Sequence, residues 1–161
     1  MIKGVSLKTV LFFLFFSQTD VVFGAPVSEY SLRAAFIANF AKFAEFPNNK
    51  EKRTFCVYKN REIWSAYSDL VENQSNEKLI PSLLELDTLN SIEECDLLYK
   101  AKFDNNSFRE NLITISEKGG GGLFEFILVD QKLKFSLSME QVKKSKIYFP
   151  VQLLNLALKN D

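Results

Sequence analysis

Four of the six glycines in this 161-residue chain stand side by side, Gly119 to Gly122, in the stretch SEKGGGGLFEF. A glycine run of this kind can cradle a phosphate, because backbone N–H groups at the start of a helix hold an anion well. That chemistry needs a helix after the glycines, and a Walker loop also needs Gly-Lys-Ser/Thr. Here the run is followed by LFEFILV, residues 123–129, which is β-rich throughout, and Lys118 lies before it. The residues therefore predict a connection that needs positive φ or close backbone approach. No catalytic or cofactor-binding residue is assigned. With no His in the chain, Ser-His-Asp and Cys-His arrangements are impossible. Asp and Glu are scattered, and nothing marks two as an acid–base pair. Glu93, Glu94 and Asp96 around Cys95 read as a solvated turn.

The two cysteines, Cys56 and Cys95, lie 39 positions apart. Their meaning depends on compartment, and the N-terminus reads as an export signal. Lys3 and Lys8 precede the unbroken apolar run Val10–Phe16, and Val22-Phe23-Gly24 fits a cleavage site after Gly24. The run has 7 residues, against the ~18 or more of a spanning helix. Residues 1–24 are thus expected to be a signal peptide and 25–161 a single exported, soluble domain. Cleavage removes Lys3, Lys8 and Asp20, which takes a neutral chain to one net negative charge. In an oxidising compartment an isolated cysteine pair usually forms a disulfide. The alternative, a metal or catalytic thiol, would have to be built mostly from carboxylates, and no metal ligand is assigned. Lys+Arg and Asp+Glu are 20 each, so no basic excess is available for nucleic acid.

These residues need a scaffold. Glu29–Phe46 has a helical period with Leu32, Phe36, Phe40 and Phe43 on one stripe, widened by Ile37 and Ala44, with Arg33 mostly off it and Pro47 as the stop. Thr54–Tyr58 reads as a strand, Ile63–Val71 as a helix, Asn73–Lys78 as a loop, and Leu79–Leu86 as an edge strand because of Pro81. Asp96–Phe103 and Leu112–Ser116 read as strands, with a loop or single helical turn at Asn105–Asn111. Leu123–Val129 and Lys132–Leu137 flank Asp130-Gln131 as a hairpin. Ser138 and Gln141 have capping-box spacing for a short helix, and Pro150–Leu158 reads as a last one. The fold expected is a single α/β domain, with a central mixed β-sheet flanked by helices and a C-terminal hairpin and helix.

Taken in order, SLRAAFIANFAKFAEFP (31–47), FCVY (55–58), ECDLLY (94–99), LITISE (112–117), GGLFEF (121–126), KLKFSLS (132–138) and FPVQLLNLA (149–157) resemble the YfiR (HmsC-like) family of periplasmic regulators. Phe40, Phe43, Pro47, Gly121, Gly122, Phe124, Phe126 and Phe135 match the family's motif positions, and Cys56 and Cys95 match its cysteine-bearing strands. The chain departs from the pattern at Ala38, Phe46 and Glu117, where Tyr, Trp and Asp are usual, and in the absence of a Gly after the first cysteine strand. The resemblance implies a periplasmic protein, not an enzyme, that binds the periplasmic domain of a membrane-bound diguanylate cyclase and holds it inactive, lowering cyclic di-GMP and biofilm formation. Cys56–Cys95 would then keep the binding-competent fold. A homodimer stays open. The second reading is a small-ligand binding module for a sensor or transporter, with a cleft between the Phe-rich helix and the sheet.

Overall fold

The computed structural model describes residues 27–73, 80–104 and 109–158. The expected signal peptide, most of the loop expected at Asn73–Lys78 and part of that at Asn105–Asn111 lie outside the described residues.

Hydrophobic runs at Thr54–Tyr58 (β1), Ser82–Leu86 (β2), Leu97–Tyr99 (β3), Ile113–Glu117 (β4), Phe124–Val129 (β5) and Lys132–Leu137 (β6) assemble one six-stranded sheet in the order β2-β1-β3-β4-β5-β6. The first five strands are parallel and β6 is antiparallel, so the sheet is mixed, as the sequence suggests. Strands β3 and β4 are buried at nearly every position, the pattern of parallel strands covered on both faces. Asp130 and Gln131 both take positive φ, 49° and 62°, as a two-residue hairpin turn matched to strand twist requires.

Helix α1 (Glu29–Phe43) and helix α2 (Arg61–Asn73) pack together on one face of the sheet. There Phe40 stacks on Phe124, and Phe36 meets Phe126 and Phe135. The opposite face carries a smaller cluster of Cys56, Leu86, Cys95, Leu98, Phe103 and Leu112, capped by a 3-10 turn at Leu89–Glu94 that the sequence reading does not contain. Helices α3 (Met139–Ser145) and α4 (Val151–Leu156) close the domain. Leu158 adds a parallel bridge to Ser136 of β6.

Three expectations change. Helix α1 ends at Phe43 with an extended Ala44, short of the Pro47 stop, because Glu45 leaves to form an antiparallel bridge with Tyr148. Its buried face is Arg33, Ala34, Ile37 and Phe40; Leu32 and Phe43 are exposed, so the buried stripe is rotated from the Phe-based one. The strand after Cys95 is only Leu97–Tyr99, with a bend following at Ala101 and Lys102.

Candidate functional site: a closed glycine turn and the ends of the parallel strands

The glycines answer a geometric problem. Strand β5 runs parallel to β4 with Phe124 opposite Ile115, yet only residues 118–123 separate the two strands. Parallel neighbours ordinarily need a crossover of about a dozen residues or more. Here the chain turns back on itself without a helix. A Cβ at Gly120 would overlap the Ala101 carbonyl oxygen, and Gly121 has φ +75°. Side chains are excluded at one position and strained at the other.

The same turn spends its own hydrogen-bond donors. Gly119 and Gly121 N–H groups donate to the two carboxylate oxygens of Glu125, at 3.2 and 2.7 Å. Gly120 donates to the Glu117 carbonyl at 2.8 Å, Gly122 to the Ser116 hydroxyl at 2.9 Å, and Leu123 to the Thr114 hydroxyl at 2.9 Å. The turn does hold an anion, and that anion is the side chain of Glu125. No amide from Gly119 to Leu123 is left for a phosphate.

In open parallel sheets, ligand-binding groups commonly sit at the carboxyl ends of the strands. Those of β3 and β4 present Tyr99 and Glu117, and both are taken up internally. The Tyr99 hydroxyl donates to Glu117, and the Arg33 guanidinium donates to Glu117 and to Glu29 one helical turn earlier. Arg33 is buried, and its Cζ lies over the rings of Tyr30 and Phe126, 5.5 and 5.4 Å from their centroids. Burial opposes its charge, but the carboxylates of Glu117 and Glu29 outweigh burial and hold the guanidinium above its ordinary pKa. Burial also pushes the Tyr99 phenol well up, and the bond to Glu117 adds to this. Sequence reasoning misses Arg33, since it reads as lying off the apolar stripe. The Glu29–Arg33 spacing of four residues is the one local clue.

The disulfide forms: Cys56 and Cys95 are bonded, with Cα atoms 5.7 Å apart, tying the middle of β1 to the residue that leads into β3. Asp96 beside it is not in a solvated turn. It is buried, accepts from the Thr54 amide at 2.8 Å, and pairs with Lys50 at 2.7 Å and Arg53 at 3.4 Å. The Arg53 guanidinium in turn lies 4.2 Å from the centroid of Phe46. Among the described residues, no three Asp, Glu, His or Cys side chains converge as a metal site would require.

Of the matched positions, Phe40, Phe124, Phe126 and Phe135 converge in the core. Gly121 and Gly122 lie in the turn just before Phe124, and Phe43 and Pro47 lie at the surface. Phe43 is 47% exposed, two residues before the Glu45–Tyr148 bridge, and Tyr148 and Val151 are exposed on the other side of that bridge.

The YfiR/HmsC-like family profile matches residues 30–158. The chain belongs to the YfiR/HmsC-like family. That match spans the sheet and the four described α-helices almost completely, from the first turn of α1 to the Leu158 bridge, as the ordered resemblance implies. Comparison with curated proteins gives no match. No described helix is long and apolar enough to cross a membrane.

Proposed function

We propose that this YfiR-like protein is a periplasmic regulatory binding protein that represses an inner-membrane diguanylate cyclase through the cyclase's periplasmic sensor domain, and that it is not an enzyme. The family match over residues 30–158 carries the reading. The closed glycine turn and the internally consumed Tyr99–Glu117–Arg33 cluster support it, because the groups most suited to substrate chemistry are committed to holding the fold. The export signal expected at residues 1–24, with cleavage after Gly24, and the disulfide support a periplasmic location. Phe43, Tyr148 and Val151, exposed around the Glu45–Tyr148 bridge, are the first positions at which to seek the sensor-domain contact.

The deciding experiment measures cellular cyclic di-GMP with the gene deleted and then restored. A rise on deletion that the exported protein reverses supports repression. An unchanged level across several growth and redox conditions rejects it, and a ligand-binding module would then be the reading to pursue.

A further inference from the structure

The two edges of the sheet are protected unequally. At one edge, β6 carries Lys132 and Lys134, and the Leu158 amide donates to the Phe135 carbonyl at 2.8 Å, covering part of the strand. Lysines and a covering segment are the usual guards against pairing with another chain. The other edge is β2. Ser82–Leu86 contains no Lys and no Pro, and its register with Thr54–Tyr58 contains no bulge.

The hydrogen bonding of β2 shows what that edge offers. The Ser82 amide donates to the Arg53 carbonyl at 2.8 Å, so Ser82, Leu84 and Leu86 turn their backbone groups towards β1. Leu83 and Glu85 turn theirs outward, and among the described residues no backbone group bonds to them there. The side chains reach the same edge. Leu83 is half-buried against the core under α1 and α2, and Leu84 is half-buried against the smaller cluster on the opposite face. Both cores therefore end at the edge in a leucine that this chain covers only in part.

A second copy of β2 fits this edge in one register. Antiparallel pairing must oppose outward-turned residues to outward-turned residues. Glu85 opposite Glu85 sets like charges face to face, which is unfavourable. Leu83 opposite Leu83 brings Glu85 to Pro81, which has no N–H to give. Leu83 opposite Glu85 overlaps the whole of Ser82–Leu86 and bonds every outward N–H and C=O of the strand in both copies. It also sets Leu84 on Leu84 across the two-fold axis, which extends the smaller cluster from one copy into the other.

We propose that the β2 edge is the interface of a homodimer, in which two copies pair β2 with β2 antiparallel about Leu84 and their sheets join as one.

The test follows sedimentation velocity of the mature, disulfide-bonded protein from ~1 to ~300 μM, the range in which a small interface dissociates. A dimer that dilutes to monomer is expected. Glu85→Pro removes one outward N–H from each copy and spares the bonds of β2 to β1, and an edge strand tolerates Pro in that orientation. It should weaken the dimer about tenfold or more, whereas Glu85→Gln, which keeps the N–H, should pair at least as well as wild type. Circular dichroism verifies the fold. Should Glu85→Pro unfold, amide exchange of the wild type decides: protection at Leu83 and Glu85 should rise with protein concentration, while Ser82, Leu84 and Leu86 stay protected throughout. A monomer across the whole range overturns the interface. So does a dimer of undiminished strength in folded Glu85→Pro, or protection at Leu83 and Glu85 that ignores concentration.

Discussion

Phe40 of α1 lies flat on Phe124 of β5, with ring centroids 3.9 Å apart and planes 3° from parallel. Phe135 meets both rings edge-on, at 5.0 and 5.7 Å. This contact fixes the rotation of α1 on the sheet, and Phe43, three residues later, is left in solvent. Phe40→Ala should therefore cost about 3–5 kcal/mol, the usual range for emptying a buried aromatic site. Phe43→Ala should change stability by less than about 0.5 kcal/mol, as surface substitutions do. Urea unfolding of the two variants checks the pair; equal costs would contradict the rotation.

How far this arrangement could be read from the sequence follows from the same helix. The 3.6-residue period establishes α1 but not its phase, because its apolar residues cover more than half of its circumference. Leu32, Phe36, Phe40 and Phe43, widened by Ile37 and Ala44, form the expected stripe; Ile37 and Phe40 are buried as it implies, but Leu32 and Phe43 are exposed and Arg33 and Ala34 are buried in their place. The difference is tertiary: Arg33 is drawn in by Glu117, 84 residues away, and no local pattern carries that pairing. Strands β1, β4, β5 and β6 were legible from their own residues, and the hairpin from Asp130-Gln131. The tight parallel connection was legible only as a demand for glycine. That Glu125 fills the turn depends on β5 folding back beside β4, which no spacing rule reveals.

Glycine is required in the turn for two separable reasons, and they should differ in cost. Gly120→Ala places a Cβ against the Ala101 carbonyl oxygen, which belongs to the backbone and cannot rotate away. Gly121→Ala meets nothing within 4 Å and suffers only from φ +75°. The second should cost about 1–2 kcal/mol, the left-handed penalty for an L-residue, and the first distinctly more. Chemical denaturation of both variants tests the ranking, and Gly121→Ala proving the worse would show that space at Gly120 is not limiting.

Arg33 joins α1 to the end of β4 through partners that are themselves partly exposed, with Glu29 and Glu117 side chains at 39% and 36%. Removing one partner of a fully buried pair costs ~3–5 kcal/mol, but solvent around these carboxylates reduces the penalty. Arg33→Met should destabilise by roughly 1–3 kcal/mol on that discounted scale. Arg33→Lys should recover only part, because an ammonium cannot span Glu29 and Glu117 as a planar guanidinium does. Full recovery by Lys in thermal unfolding would reduce the role of Arg33 to charge alone.

The buried phenols of Tyr67 and Tyr99 are both held above the ordinary tyrosine value, Tyr67 by burial and Tyr99 by burial and then Glu117. A raised folded-state pKa means that the native state binds the proton more tightly than the unfolded chain. The corresponding stability is complete below the unfolded value of about 10 and is lost as pH rises above it. Absorbance titration should show these two phenols ionising only with alkaline unfolding, and Tyr99→Phe should remove one of the delayed groups. Ionisation of both near pH 10 in folded protein would contradict their burial.

The disulfide offers the last separation, between stability and function. Closing 39 residues constrains the unfolded chain by about 4 kcal/mol on the chain-entropy model. The bond also lies inside the smaller core cluster with Leu86, Leu98 and Phe103, so its sulfurs are packed as well as linked. Cys56→Ser adds a buried hydroxyl to the lost cross-link and should weaken the fold by about 4 kcal/mol or more on that model. If the proposed repression holds, the variant should lower the level of folded protein in cells and raise cyclic di-GMP together. Cys56→Ala/Cys95→Ala avoids the buried hydroxyl and should retain more stability than Cys56→Ser. If the double variant folds and represses fully, the bond serves stability alone; wild-type stability in Cys56→Ser would refute even that role.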